Sequence, residues 1–378
     1  MKNIRLLRSD EYQQAAELAN LVFGKTDLSP METAFPKLFS PALGQCFGAV
    51  EDGKLVAFMG LVPSFLRIHE AKVKTYSLGS VCTHPDYRGR GYASRILAEI
   101  RKHIEEAGAS LLFVSGDRPL YRRFGCVPFG SVTRLVLDES SCGNNEGDAT
   151  RQIQVRELRE TDWFDVKEIA DKRTTAFEQS LWDLADLIHA QGYAGLDSLT
   201  HHVLIAQKNG KTIGFCVIGV PHHPEFQKAV AIEWGGTTEA VVRLLTSAVD
   251  RYRLSSLEVN VPYFDEALPE LLPYAQSNSE KNEGTVCMVN SEAFIQQLRP
   301  YLEEKDAEVN KFMNVETLGD GHVKINLQEE STIVSQADFV SIVFDSKIDT
   351  SEWNKVGQTI RSSFFPIPCP NLGALNYV

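Results

Sequence analysis

The sequence predicts an α+β protein of three successive units, and three observations predict it. At 378 residues the chain is too long for one ordinary hydrophobic core. Runs with strand character interleave with runs at helical spacing along its whole length. Two polar stretches, Glu139 to Thr150 (ESSCGNNEGDAT) and Gln276 to Gly284 (QSNSEKNEG), break that alternation. They divide the chain into residues 1–150, 151–284 and 285–378.

Taken in order, Ile4 to Leu7 reads as a short strand, and Asp10 is positioned to cap a helix running to about Phe23. That helix carries Ala15, Leu18, Ala19 and Val22 on one face. Cys46 to Val50 and Leu55 to Val62 flank Asp52-Gly53, a strong hairpin signal. Val73 to Thr83 is a further strand. Gly91 to Ala107 is helical, with Ala93, Ile96, Leu97, Ile100 and Ile104 on one face and Gly108 as the stop. Leu111 to Val114 and Val132 to Leu137 complete the first unit. A second cycle starts at Ile153, with strands at Val203 to Gln207, Ile213 to Val220, Val230 to Trp234 and Leu257 to Val261, and a helix near Glu239 to Tyr252. The last unit has helices near Ser291 to Tyr301 and Gln336 to Phe344, and a strand near Val323 to Leu327. Trp163, Phe164 and Trp182 read as core. No repeat of solenoid period is visible.

Composition excludes several classes. No run reaches the ~18 apolar residues of a membrane helix, and the N-terminus lacks a signal-peptide stretch. The seven cysteines are scattered and never form CxxC, which fits reduced thiols in a cytoplasm rather than a disulfide framework or zinc ribbon. The net charge of −12 disfavours broad nucleic-acid binding.

The chemistry concentrates in Ser80-Val-Cys-Thr-His-Pro-Asp-Tyr-Arg-Gly-Arg-Gly-Tyr-Ala93. A strand ends near Thr83, Pro85 stops it, and a Gly-rich turn opens a helix. Gly89 and Gly91 permit turn angles closed to other residues and a close backbone approach. Free N–H groups at a helix start favour an anion, and Arg88 and Arg90 add charge. The pattern is that of a phosphate cradle. It is not a Walker loop, which needs Gly-Lys-Ser/Thr, nor a Rossmann loop, because Ser94 stands where a third glycine would be.

These residues resemble the GNAT superfamily of acetyl-CoA-dependent N-acetyltransferases, whose signature Arg/Gln-x-x-Gly-x-Gly/Ala is matched by Arg88-Gly89-Arg90-Gly91-Tyr92-Ala93. A second family feature, a strand followed by a Tyr-containing turn ending in Phe-Gly, is matched by Leu111 to Ser115 and Leu120-Tyr-Arg-Arg-Phe-Gly-Cys126. The resemblance implies that Val81, Cys82 and Thr83 line the pantetheine arm of acetyl-CoA and that Arg88 to Ala93 hold its pyrophosphate. The whole-chain layout is similar to the Eis-like acetyltransferases. It implies two tandem GNAT-like mixed sheets flanked by helices, followed by an α+β unit like a sterol carrier protein. The turn of the second unit, Trp234-Gly-Gly-Thr-Thr-Glu239, lacks the arginine signature, so that unit is expected to wall the substrate site rather than to bind CoA. Relatives assemble, which implies a homo-oligomer.

Acetyl transfer to an amine requires a neutral nucleophile, a stabilised oxyanion and a proton for the departing thiolate. By resemblance Tyr121 is the general acid, and a phenol with its ordinary pKa of ~10 can serve. Ser362 to Val378 (SSFFPIPCPNLGALNYV) contains no charged side chain in seventeen residues, unlike an ordinary solvated terminus. Burying it would carry the terminal carboxylate inside, and desolvation would make that group a better base. In Eis-like proteins the terminal carboxylate is the proposed base, so the resemblance assigns that role to Val378.

Other features read more plainly. The pairs His201-His202 and His222-His223 lack further ligands at helical spacing, so no metal is assigned. Cys82 reads as a small strand residue. Phe23, Asp27, Met31 and Phe35 follow the first helix and are candidates to line an acceptor pocket. The expectation is an N-acetyltransferase that acts on a primary amine of a cationic small molecule or a lysyl group, with neither nucleic acid nor membrane as partner. A CoA-binding regulator without turnover is the alternative. Residues 1–150 hold 18 basic and 17 acidic side chains, a balance of +1, against −7 for 151–284 and −6 for 285–378. The excess acid is therefore expected to draw a cationic acceptor.

Overall fold

The structure is a computed structural model and describes residues 3–24, 29–143, 152–223, 228–309, 313–318, 321–349 and 355–378. The chain opens with β1 (Asn3–Leu6), α1 (Tyr12–Phe23), β2 (Phe47–Glu51), β3 (Lys54–Ile68), β4 (Ala71–Thr83), α2 (Tyr92–Glu106), β5 (Leu111–Val114), α3 (Pro119–Phe124) and β6 (Val132–Leu137). It continues through β7 (Gln154–Glu157), α4 (Trp163–Asp171), β8 (Thr175–Phe177), α5 (Leu181–Ala190), β9 (Leu199–Lys208), β10 (Lys211–Pro221), β11 (Ala229–Gly236), α6 (Thr238–Arg251), β12 (Leu257–Pro262) and β13 (Gln276–Glu280). The last part comprises β14 (Thr285–Met288), α7 (Ser291–Lys305), β15 (Met313–Thr317), β16 (His322–Leu327), β17 (Glu330–Ser335), α8 (Gln336–Phe344) and α9 (Lys355–Phe364). Among the described residues no helix is long and apolar enough to cross a membrane.

Two seven-stranded mixed sheets and one three-stranded antiparallel sheet form. The first has the order β1-β2-β3-β4-β5-β14, with β8 paired to β3, and the second β13-β6-β12-β11-β10-β9-β7. Strand exchange ties the units together. β6 lies before the first polar break, yet it pairs with β12 in the second sheet, Leu137 opposite Leu257. β14 follows the second break, yet it pairs with β5 of the first sheet, Thr285 opposite Val114. Strand period shows which residues are inward but not which sheet receives them, so boundaries drawn from sequence do not coincide with the sheets. The polar stretch after Gln276 contains an exposed edge strand, β13, rather than a linker. Its partner supplies the ladder, and no apolar face is required of it.

The helix after β1 is capped differently from the expectation. A 3₁₀ turn, Ser9–Glu11, precedes α1, and Asp10 makes no cap bond. Glu11 does the work from a buried position. It accepts from Arg5 at 2.7 and 2.8 Å and from the Arg8 backbone N–H at 2.8 Å. The same device recurs in the second unit. Asp162 accepts from Arg156 at 2.6 and 2.8 Å and from the Arg159 N–H at 2.7 Å. The sequences Arg5-x-x-Arg8-x-x-Glu11 and Arg156-x-x-Arg159-x-x-Asp162 are thus one motif used twice, each joining a strand to its first helix. The spacing lets a single carboxylate close the turn and neutralise the arginine of the strand.

Phe164 and Trp182 are 75% and 76% exposed, which corrects their assignment to the core. The buried stripes of their helices run through Val166, Ile169 and Ala170, and through Leu184, Leu187 and Ile188. At helical spacing this turns the two aromatic rings outward.

The arginine hydrogen bonds hold the Glu11 carboxyl at about 2 against an ordinary 4.5, with burial opposing. Because the folded value is depressed, this stabilisation is complete above the ordinary value and is lost as pH falls toward the folded one. Glu11→Gln is expected to cost about 1–3 kcal/mol at neutral pH. It should also flatten the acid limb of stability between about pH 4.5 and pH 2, as measured by urea denaturation across that range.

Candidate active site

The site is built where β4 and β5 part. They pair in parallel from Thr75–Leu111 to Leu78–Val114 and no further. β4 continues to Thr83, so the edge from Gly79 onward lacks a β5 partner and presents backbone donors and acceptors to an extended ligand. Within that edge the register on β3 slips between Phe58 and Gly60, and Ser80 adopts φ +49. A bulge of this kind re-aims side chains beside a site. Sequence inspection missed it because serine carries no signal for a positive φ.

Beyond Thr83, eight residues lead into α2. Gly89 and Gly91 both have φ +75, and a Cβ built on either would meet nothing within 4 Å. The turn therefore needs glycine for its backbone angles, and the space above it is open. Helical bonding begins with the Arg95 N–H donating to Gly91 O at 3.4 Å, which leaves the amides of the preceding turn without helical partners. Arg88 Nε donates to Thr83 O at 3.4 Å. Arg90 stacks on the Tyr87 ring at 4.6 Å and lies 3.8 Å from Glu51. The open turn, its amides and these arginines fit the pyrophosphate of acetyl-CoA, and the unpaired β4 edge fits an extended pantetheine arm. Two residues of the expected set turn their side chains elsewhere. Tyr92, the first residue of α2, is buried and donates to Glu51. Cys82 is buried beside Phe58, and desolvation pushes its thiol up to about 12. Both are left with their backbone to offer a cofactor.

A cavity of ≈ 470 Å³ opens at the fork between the strands. Tyr121, Val81, Ser80, Arg118 and the terminal Val378 line it, together with Phe23, Met31 and Phe35. Asp27 lies outside the described residues. Tyr121 sits in α3, where a proline at the first turn and Gly125 at the end bound a short helix. Burial raises its pKa, against the opposing charge of Arg118. The phenol therefore stays protonated through neutral pH.

A series of hydrogen bonds fixes the path of the tail to Val378. The Ile367 N–H donates to Val343 O at 2.8 Å, and Asn282 Nδ2 donates to Pro370 O at 2.8 Å. The Leu372 N–H donates to Asn282 Oδ1 at 2.9 Å, and the Leu375 N–H to Glu233 Oε2 at 3.3 Å. Tyr377 packs edge-on against Tyr193 at 5.0 Å and donates to Ser115 O at 3.4 Å. The tail ends over β4. A Cβ built on Gly79 would lie 2.4 Å from the Val378 carboxyl carbon, so only glycine leaves room for the terminus.

The second unit carries a comparable fork. β11 and β12 pair in parallel only from Ala229 to Ala231, and a cavity of ≈ 330 Å³ lies beyond. Here a single residue, Thr237, joins strand to helix, which leaves no loop to wrap a pyrophosphate. Glu233, paired with Arg173, and Asp265 face the cavity, and the tail at Pro370, Asn371, Ala374 and Asn376 forms part of its wall. This fork does not fit CoA. Residues 190–200 of the same unit form much of the far wall of the first cavity.

His222 lines the first cavity. His201 is buried, hydrogen-bonds Ile188 O at 2.8 Å, and is lowered to about 4 by desolvation. Among the described residues no cluster of three or more His, Cys, Asp or Glu gathers to hold a metal ion. All seven cysteines are buried free thiols.

Comparison with known proteins adds to this geometry. Residues 3–129 match the family described as an acetyltransferase (GNAT) domain. No curated protein matches the sequence. Among solved structures, Eis1 from Mycobacterium abscessus superposes with a TM-score of 0.67 at 14% identity, covering 99% of this chain and 100% of that one. A GCN5-related N-acetyltransferase from Anabaena variabilis gives 0.65 at 14% identity, covering 100% and 96%. One from Kribbella flavida gives 0.57 at 15%, covering 78% and 73%. The cradle at Arg88–Ala93 falls inside the matched segment and the fork it serves inside the shared fold, so the chain carries a GNAT-superfamily acetyltransferase domain at residues 3–129 and has, as a whole, the fold of Eis1.

Proposed function

We propose that the chain is an N-acetyltransferase that moves acetyl from acetyl-CoA to a primary amine by direct attack. The observation that carries this is the convergence of the Tyr121 phenol and the Val378 carboxylate on one cavity at the mouth of the cofactor fork. In this reading Val81 to Thr83 line the pantetheine arm, and Arg88 to Ala93 hold the pyrophosphate. Acetyl-CoA supplies the activated thioester. Val378 accepts the proton of the incoming amine as its nitrogen forms the C–N bond. The C–S bond breaks, and the departing sulfur takes the Tyr121 proton. Residues 151–284 wall the acceptor side, and residues 285–378, read as the sterol-carrier-like unit, deliver the tail.

Three measurements test this assignment. Two or three residues appended after Val378 should abolish turnover while acetyl-CoA binding, followed by calorimetry, stays within a few-fold. Full activity of the extended chain would overturn the base assignment. Tyr121→Phe should lower kcat by about 10²–10⁴-fold. Because burial raises the pKa of Tyr121, wild-type kcat should hold until above pH ~10, and the variant should lose that alkaline limb. Gly79→Ala should displace the terminus and cost about 1–3 kcal/mol of stability, together with most of the turnover. Tight CoA binding without thiol release from any amine would make the chain a CoA-binding regulator.

A further inference from the structure

We propose that Cys126 and Cys287 form a dithiol site that a hydroperoxide closes to an intramolecular disulfide, and that closure lowers turnover by pulling on the helix that carries Tyr121. The effect on turnover rests on the acetyltransferase reading of Tyr121; the disulfide does not. Val127 and Val286 form an antiparallel bridge and exchange both backbone hydrogen bonds at 2.9 Å. One step along that register sets Cys126 opposite Cys287 as a non-hydrogen-bonded pair, where facing Cα atoms lie about 4.5 Å apart and side chains come closest. Disulfides span Cα separations of about 4.4–6.8 Å, so the backbone already stands at bridging distance. Both side chains enter the core that also holds Tyr121.

Arg101 of α2 lies beside the pair. Its Nη2 is 3.6 Å from Cys287 Sγ and donates to Phe124 O at 2.7 Å, and its guanidinium covers the Phe124 ring at 4.4 Å. The Cys126 thiol, and then Arg101, favour the Cys287 thiolate against burial, while Cys287 pushes Cys126 up. Cys287 is therefore the attacking sulfur and Cys126 the resolving one. The Cys287 thiolate takes one oxygen of hydrogen peroxide: the S–O bond forms, the O–O bond breaks, and the departing hydroxide gains the proton Cys287 has shed. Cys126 then attacks that sulfur. The S–S bond forms, the S–O bond breaks, and the leaving hydroxyl takes the Cys126 proton. The two thiols together lose two electrons, and the peroxide is reduced to two waters.

Both thiols are buried, so oxidation waits on a local opening. β14 ends its sheet, and the cover on this side is α3, six residues closed by Gly125, a short element of the kind that opens at low cost. Closure must bring the sulfurs to about 2.0 Å. Cys287 is held by pairing with Leu112 of β5, so the shift falls on Cys126, whose N–H donates to Tyr121 O at 3.0 Å. A displacement of that size at a proton donor is enough to slow a reaction.

The test is treatment of the reduced full chain with hydrogen peroxide, followed by peptide mass spectrometry and by thiol release from acetyl-CoA with a panel of amines. The expected result is a Cys126–Cys287 cross-linked peptide, lighter by the two thiol hydrogens, and a fall in kcat of about threefold or more that dithiothreitol reverses. Cys126→Ala and Cys287→Ala, made separately so that one poorly folding variant does not decide the matter, should each keep its own kcat under the same treatment. Sulfinic acid, or bonds between chains, in place of the internal disulfide would overturn the site. An internal disulfide with kcat unchanged would overturn its effect on turnover. A reduced chain that releases no thiol with any amine would overturn the acetyltransferase reading and the effect on turnover together, and the cross-linked peptide would still decide the site.

Discussion

The arrangement depends on one constraint: an apolar tail sets its last residue, half-buried, against the backbone of β4 at Gly79. The tail from Phe365 onward packs Phe365, Ile367 and Leu375 into cores, each side chain contributing about 1.5–3 kcal/mol. Taking a carboxylate part-way out of water opposes this packing. A few such side chains are thus enough to hold the charged end where it would not go alone. Buried partners fix the path, above all Asn282, which donates to one tail carbonyl and accepts from one tail amide. Because the strand exchange of β6 and β14 already interlocks the units, the tail crosses a single connected body and delivers its last atom to Gly79.

The two larger units show how similar elements yield two different forks. Both begin with the same arginine–carboxylate turn, and both contain a fork between parallel strands. They diverge at the connection from strand to helix. Eight residues with two left-handed glycines follow β4, whereas Thr237 alone follows β11. The longer turn leaves amides and arginines facing open space, while the shorter one brings the helix directly onto the strand. The second fork keeps Glu233, which accepts from the Leu375 N–H of the tail, and so helps to hold the terminus in place.

Much of this was legible in the residues, and what was not has physical reasons. Asp52-Gly53, the stripe from Ile96 to Ile104 and the limits of Leu111–Val114 follow from local chemistry, and the structure places them accordingly. The open turn at Gly89 and Gly91 was legible because few other residues tolerate its angles. The apolar tail was legible because a terminus without charged side chains has no reason to be solvated. Sheet membership was not legible, since β6 and β14 have the same alternation whichever neighbour they find. Nor was the role of Gly79, which depends on an atom 299 positions later in the sequence. The paired turns at Glu11 and Asp162 were present as spaced residues but too short to register as a repeat. The bulge at Ser80 left no trace in composition.

Net charge shows why a global figure needs a local map. Residues 151–378 carry −13 against +1 for residues 1–150, and read alone that excess favours a cation of any valence. Long-range acid raises the local concentration of any cation, and ionic strength weakens that attraction over about 8–10 Å. Entry removes solvent, and from then on each charge needs its own partner within hydrogen-bonding reach. Steering and acceptance therefore follow different residues. Exposed acids can gather cations of every valence, whereas a charge that has entered is held only by the groups that line the cavity.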